Sequence, residues 1–98
     1  MSIETLETKI KNWIETIAGV VDFKELDSKN GINFPNSGLV VEKNEKHKNG
    51  INLTIGLIII VNLNAKIIVE EIYQIVNYQL KKENLKLSKL CIYIKGIK

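Results

Sequence analysis

The sequence predicts an α+β fold in one small domain spanning residues 1–98, with the element order α-β-β-β-α-β and two helices packed on one face of a mixed or antiparallel sheet. Three observations lead there. Apolar residues recur at helical spacing near the start and again over 66–83, whereas residues 51–63 alternate strictly in twos. Clusters of Gly, Asn, Asp and Ser separate these segments. A length of 98 residues, 45% hydrophobic and 26% charged, suits one modest core and excludes a two-lobed enzyme with a cleft between domains.

Ile3, Leu6, Ile10, Trp13, Ile14 and Ile17 form one helical stripe, with Glu4, Glu7, Lys11 and Glu15 between them. Ser2 is a suitable amino-terminal cap, and early acids suit the positive end of the helix dipole. Gly19 ends the helix, and Val20, Val21, Phe23 and Leu26 predict a short strand. Residues 27–38 contain the only proline and repeated turn formers, which predicts an exposed loop. Leu39, Val40 and Val41 open a second strand that turns polar from Glu42 to Lys48. Asn49-Gly50 then predicts a type I′ hairpin, whose central residues both need positive φ.

Ile51, Leu53, Ile55, Leu57, Ile59, Val61 and Leu63 place an apolar residue at every odd position of the third strand. Its other face, Asn52, Thr54, Gly56, Ile58, Ile60 and Asn62, is apolar at the centre, as expected for a strand central to its sheet. Gly56 predicts a bulge or the close approach of a helix. The second helix, over 66–83, has Ile68, Ile72, Ile75, Val76 and Leu80 on its core face and Tyr73 flanking it. Asn84 is suited to a left-handed cap, and Leu90, Ile92 and Ile94 mark the last strand.

The formal charge is +3, and all fourteen positive residues are lysines. Seventeen Ile, fourteen Lys and eleven Asn indicate an AT-rich coding bias, which accounts for the missing arginine. Residues 1–49 carry −1 and residues 50–98 carry +4, the excess lying mostly in Lys81, Lys82, Lys86, Lys89, Lys95 and Lys98. Such a surface suits phosphate or an anionic membrane, although lysines that end a helix also answer its dipole and keep a small protein soluble. The longest apolar run, Ile55 to Val61, is far short of the roughly 20 residues of a spanning helix. The acidic opening residues lack the pattern of a signal peptide, so a reducing cytoplasm is the expected compartment.

The long alternating strand, the helix carrying Gln74 and Val76, the turn at Asn84-Leu85 and the closing segment Leu90 to Ile97 together resemble the alkaline shock protein family, small general-stress proteins of Gram-positive bacteria and their relatives. Ala18-Gly19-Val20 resembles the family's junction after the first helix, and Gly96-Ile97 its terminal Gly-Val pair. Asn84 stands where the family commonly has glycine, and Asn64-Ala65 replaces a frequent Tyr-Gly. The resemblance implies a non-enzymatic role at the cytoplasmic side of the cell envelope, with self-assembly and, in some members, a membrane-anchoring partner. It brings no catalytic residues.

The residues themselves predict no catalytic, cofactor or metal site. His47, the only histidine, sits among lysines that disfavour a metal cation, and reads as a solvated hairpin residue. Cys91, the only cysteine, forms no intrachain disulfide and is expected to fill the core as a small apolar side chain. Asp27-Ser-Lys-Asn-Gly fails as a calcium loop, since Lys29 and Gly31 occupy ligand positions. Glu70 and Glu71 diverge by about 100° around a helix, too far for an acid–base pair. Trp13 belongs to the first helical stripe, and Tyr73, Tyr78 and Tyr93 share no spacing that would form a base-stacking platform.

The leading functional expectation is therefore a non-enzymatic scaffold or adaptor that self-associates or docks a protein partner through its sheet edges. The alternative is an RNA-binding module using the lysine-rich carboxy-terminal surface, because α-β-β-β-α is also the order of double-stranded RNA-binding domains.

Overall fold

The computed structural model describes residues 2–61 and 64–98. Its elements are α1 (Ile3–Glu15), β1 (Val20–Phe23), a 3-10 turn (Ser28–Asn30), β2 (Leu39–Lys43), β3 (Gly50–Ile59), α2 (Ala65–Lys82) and β4 (Lys86–Ile97). Asn62 and Leu63, which the alternation assigns to the third strand, lie outside the described residues.

The predicted α+β order is present, and the sheet is mixed. β3 is its axis, with β1 and β2 antiparallel to it along one edge and β4 parallel to it along the other. The parallel pair follows from the connection: α2 carries the chain back along the sheet before β4 begins. Both helices cover one face. Leu6, Ile10 and Ile14 of α1 and Ile68, Ile72, Val76 and Leu80 of α2 meet the odd residues Ile51 to Ile59 of β3 in one buried cluster.

Local chemistry sets the helix ends. The Ser2 hydroxyl accepts a hydrogen bond from the Thr5 amide at 3.2 Å, satisfying one orphan donor of α1. The Asn64 side chain does the same for α2, accepting from Lys66 N at 2.9 Å. At the far end of α2, Asn84 has φ 61°, Asn84 N donates to Lys81 O, and Leu85 N donates to Leu80 O. This is a Schellman closure, with Leu85 brought back onto the core.

Strand β3 ends at Ile59, sooner than the alternation suggests, and Val61 is exposed rather than part of the apolar face. The Ile60 amide turns instead to Gly19 O and the Val61 amide to Lys98 O. Nor is the β2–β3 connection a type I′ turn, since neither Asn49 nor Gly50 has positive φ. Residues 44–49 form a longer loop in which Asn44 Oδ1 accepts from the amides of Lys46 and His47. An asparagine side chain thus performs the chain reversal expected of backbone torsions.

The largest departure concerns residues 24–38. Leu26 does not extend β1, and the segment is not simply an exposed loop. It leaves the sheet edge between β1 and β2 and folds over the face opposite the helices. There Leu26 and Ile32 are buried with Val40, and Tyr93 packs against them. Asn36 braces this clasp, accepting from Leu26 N at 2.8 Å and from Gly38 N at 3.0 Å while donating to Leu26 O at 2.8 Å. Gly56 admits it: a Cβ there would collide with the carbonyl oxygen of Lys24. The close approach expected at Gly56 is therefore real, but the approaching group is loop backbone, not a helix.

Candidate functional site

The feature most open to a partner is the outer edge of β4, which can be built from backbone geometry upward. The amide of Gly56 donates to Gly38 O at 2.8 Å and its carbonyl accepts from Lys24 N at 2.9 Å, so both face the β1/β2 edge. The odd residues of β3 consequently turn their polar groups toward β4. Lys89, Cys91 and Tyr93, in register with Asn52, Thr54 and Gly56, receive those bonds. Leu90, Ile92 and Ile94 are left presenting N–H and C=O groups outward, and among the described residues no strand pairs with that side.

The two faces of β4 differ in chemistry. Leu87, Leu90, Ile92 and Ile94 are in register with odd residues of β3 and stand on the helix side. Lys86 and Lys89, in register with Gly50 and Asn52, stand on the opposite side. Lys98 joins them, since its amide bonds Ile59 O and its carbonyl accepts from Val61 N, which sets it opposite Ile60. Helix α2 supplies a flank above the apolar side. Glu71, Gln74, Ile75 and Tyr78 line an open cleft with Thr16, Ile17 and Ala18 at the end of α1. Helical rotation places Val69 and Tyr73 on the other flank, toward β4. Tyr73 is 50% exposed, and Ile94 and Ile97 are 36% and 63% exposed.

The lysines here have few local counter-charges. Residues 84–98 contain four lysines and no aspartate or glutamate. Glu83 is already paired with Lys9 at 2.9 Å, and Asp27 lies 3.8 Å from Lys95. Glu42 and Glu45 share a hollow with Lys89 but stand beyond ion-pair reach of it. Lys86, Lys89 and Lys98 therefore make no ion pair among the described residues.

The residues weighed for chemistry are dispersed. His47 is exposed on the hairpin loop. Asp27 caps the 3-10 turn, accepting from Lys29 N at 3.0 Å, while Asn30 accepts from Lys95 Nζ at 2.8 Å. These contacts tie the clasp to β4. Trp13 packs at the margin of the helix-side core. Among the described residues, no group of three His, Cys, Asp or Glu side chains is placed to hold a metal. A hollow of about 230 Å³ at the hairpin end, floored by Ile3, Leu6, Ile51 and Leu85, falls below the roughly 300–1,000 Å³ typical of small-molecule pockets.

Cys91 is not a core filler. It is half-buried on the clasp side of β4, two residues from Tyr93 on the same face. Hydrogen bonding to Cys91 holds the Tyr93 phenol above its ordinary pKa, because ionisation removes the phenol's donor proton; the negative charge of the Cys91 thiolate and desolvation act in the same direction.

Sequence reasoning missed the bare edge and the α2 flank as one surface. The available signal was the β-α-β connection: a strand reached through a helix immediately after the central strand falls beside it, with its other side free unless a further strand follows. No protein-family model, curated protein or solved structure matches the chain.

Proposed function

We propose that this chain is a non-catalytic adaptor or scaffold of the alkaline shock protein kind, acting through self-association or contacts with other proteins at the cytoplasmic side of the cell envelope. The observation that carries this reading is the outer edge of β4, where three outward-facing residues present backbone donors and acceptors beside an apolar helix flank. Support also comes from the sequence resemblance and from the scattering of His47, Cys91, Asp27 and the Glu70-Glu71 pair over different parts of the molecule. None of the described helices is long and apolar enough to cross a membrane, so envelope association in this reading runs through an anchoring partner.

The test is absolute mass by size-exclusion chromatography with light scattering over a hundredfold range of concentration, joined to chemical cross-linking in lysate. A discrete or growing assembly, or a stoichiometric cross-linked complex, is expected. An 11.1 kDa monomer at every concentration, with no cross-linked partner, would overturn the reading.

RNA binding is the second reading, favoured by the exposed pair Lys81 and Lys82 at the end of α2. Lys82 is partly engaged, its ammonium lying 5.4 Å from the ring centroid of Tyr78. Salt-sensitive retention of RNA that disappears in the double variant Lys81→Glu, Lys82→Glu would favour it over the adaptor.

A further inference from the structure

We propose that the outer edge of β4 is a docking site for an extended segment of a partner protein in which acidic and apolar residues alternate. This rests on the adaptor reading and names the kind of partner that reading lacks.

Backbone geometry comes first. Between the register shifts near Ser88 and Lys95, β4 runs regularly from Lys89 to Ile94 against Asn52 to Leu57. Over that stretch Leu90, Ile92 and Ile94 offer three N–H donors and three C=O acceptors to an incoming strand, enough to fix its direction and register.

Side-chain chemistry then selects the segment. A strand repeats every two residues, so an added strand places one alternate set of side chains on the helix side and the other on the clasp side. On the helix side the newcomer meets Leu90, Ile92 and Ile94 with Val69 and Tyr73 above them, which calls for apolar residues. On the clasp side it meets Lys89 and then Cys91 and Tyr93, with Lys86 and Lys98 beyond the two ends of the regular stretch; these three lysines make no ion pair among the described residues, and they call for carboxylates. The helix face of β4 thus selects apolar residues, and the lysines of the clasp face select acidic ones at the alternate positions.

A second copy of this chain is a poorer occupant. Two β4 strands paired antiparallel about Ile92 would set Lys89 opposite Lys95 and Lys86 opposite Lys98 on both sides of the symmetry axis, placing like charges across the ladder. Sliding the register relieves those pairs but still brings eight lysines, and no acidic side chain from residues 84–98, into one interface.

The experiment uses the full chain and two synthetic heptapeptides, one alternating valine with glutamate and one alternating valine with lysine. Binding is followed by fluorescence anisotropy, and backbone amide exchange by NMR. The valine–glutamate peptide is expected to bind and to slow exchange at Leu90, Ile92 and Ile94, while Cys91 and Tyr93, already bonded to β3, change little. The double variant Lys86→Glu, Lys89→Glu is expected to lose about tenfold in affinity for that peptide and to gain affinity for the valine–lysine one. Both lysines are exposed, so folding is not at stake.

Unaltered exchange at the three amides under saturating peptide would overturn the proposal. Equal binding of the two peptides would overturn it as well. Protection already present without peptide and growing with protein concentration would assign the edge to a second copy and overturn the peptide site. Assembly in the light-scattering experiment without protection at these amides would refute this site alone and leave the adaptor reading standing.

Discussion

The two edges of the sheet are built on opposite plans. One is divided between β1, four residues long, and β2, five residues long, laid end to end along β3. The clasp emerges at the joint, and the register shifts between Val20 and Asp22. Short strands, a bulge and an interrupting loop are devices that keep foreign strands from pairing. The other edge is a single strand of twelve residues, with only its lysines and two register shifts to discourage company. Under the adaptor proposal, the long edge is the side that joins a partner. In that proposal the charge and apolar surface on that side select the partner.

The contrast breaks most severely at Gly56, where the two halves of the divided edge meet. Gly56→Val is expected to cost about 3 kcal/mol or more in denaturant unfolding, because its Cβ collides with the backbone of Lys24, which cannot rotate away as a side chain would. Wild-type stability in this variant would show that the clasp does not sit over β3. A middling effect is expected at the tie between the edges. Lys95→Met removes the ammonium that reaches Asn30 Oδ1 and should cost about 1 kcal/mol, with faster amide exchange around residues 26–32. Exchange faster only in β4 would place the role of Lys95 in the strand and not in the clasp.

The smallest effect is spectroscopic. Cys91→Ala should lower the Tyr93 phenol toward its ordinary value of 10.0, as seen by alkaline difference absorbance, because the principal cause of the upward shift is the Cys91 hydrogen bond. The sign for stability follows from the same pair. A folded-state phenol held above its unfolded value keeps its proton more firmly when folded, so its contribution is present below pH 10.0 and fades as pH rises beyond it. An unmoved Tyr93 titration in the variant would place the pair apart on β4.

Much of the helix-side architecture was legible because periodicity reports directly on burial. The spacing of Leu6, Ile10 and Ile14 and the odd residues from Ile51 to Ile59 identified the main core, and Asn84 announced its left-handed turn. The clasp was not legible in the same way. Asp27, Asn30, Asn36 and Gly38 are turn formers in any context, and only the groove over Gly56 makes them a covering for Leu26 and Ile32. Cys91 was misplaced for a related reason: alternation shows that neighbours face opposite ways, not which face meets the helices. The hairpin failed because the Asn44 side chain supplied a local alternative to the torsions that Asn49-Gly50 usually adopts.

By itself, then, the amino-acid order determined which segments are helices and strands and which residues make the principal core, since those properties depend on neighbours a few positions away. It also determined the concentration of lysines without acids over 84–98. Only the tertiary structure decided that β1 and β2 share one edge, that β4 lies parallel to β3 with its other side unpaired among the described residues, and that its lysines and aliphatic residues divide between two faces. Those facts depend on contacts between distant segments, where a hydrogen bond from Gly56 or the approach of a single carbonyl sets the direction of every residue that follows in the ladder.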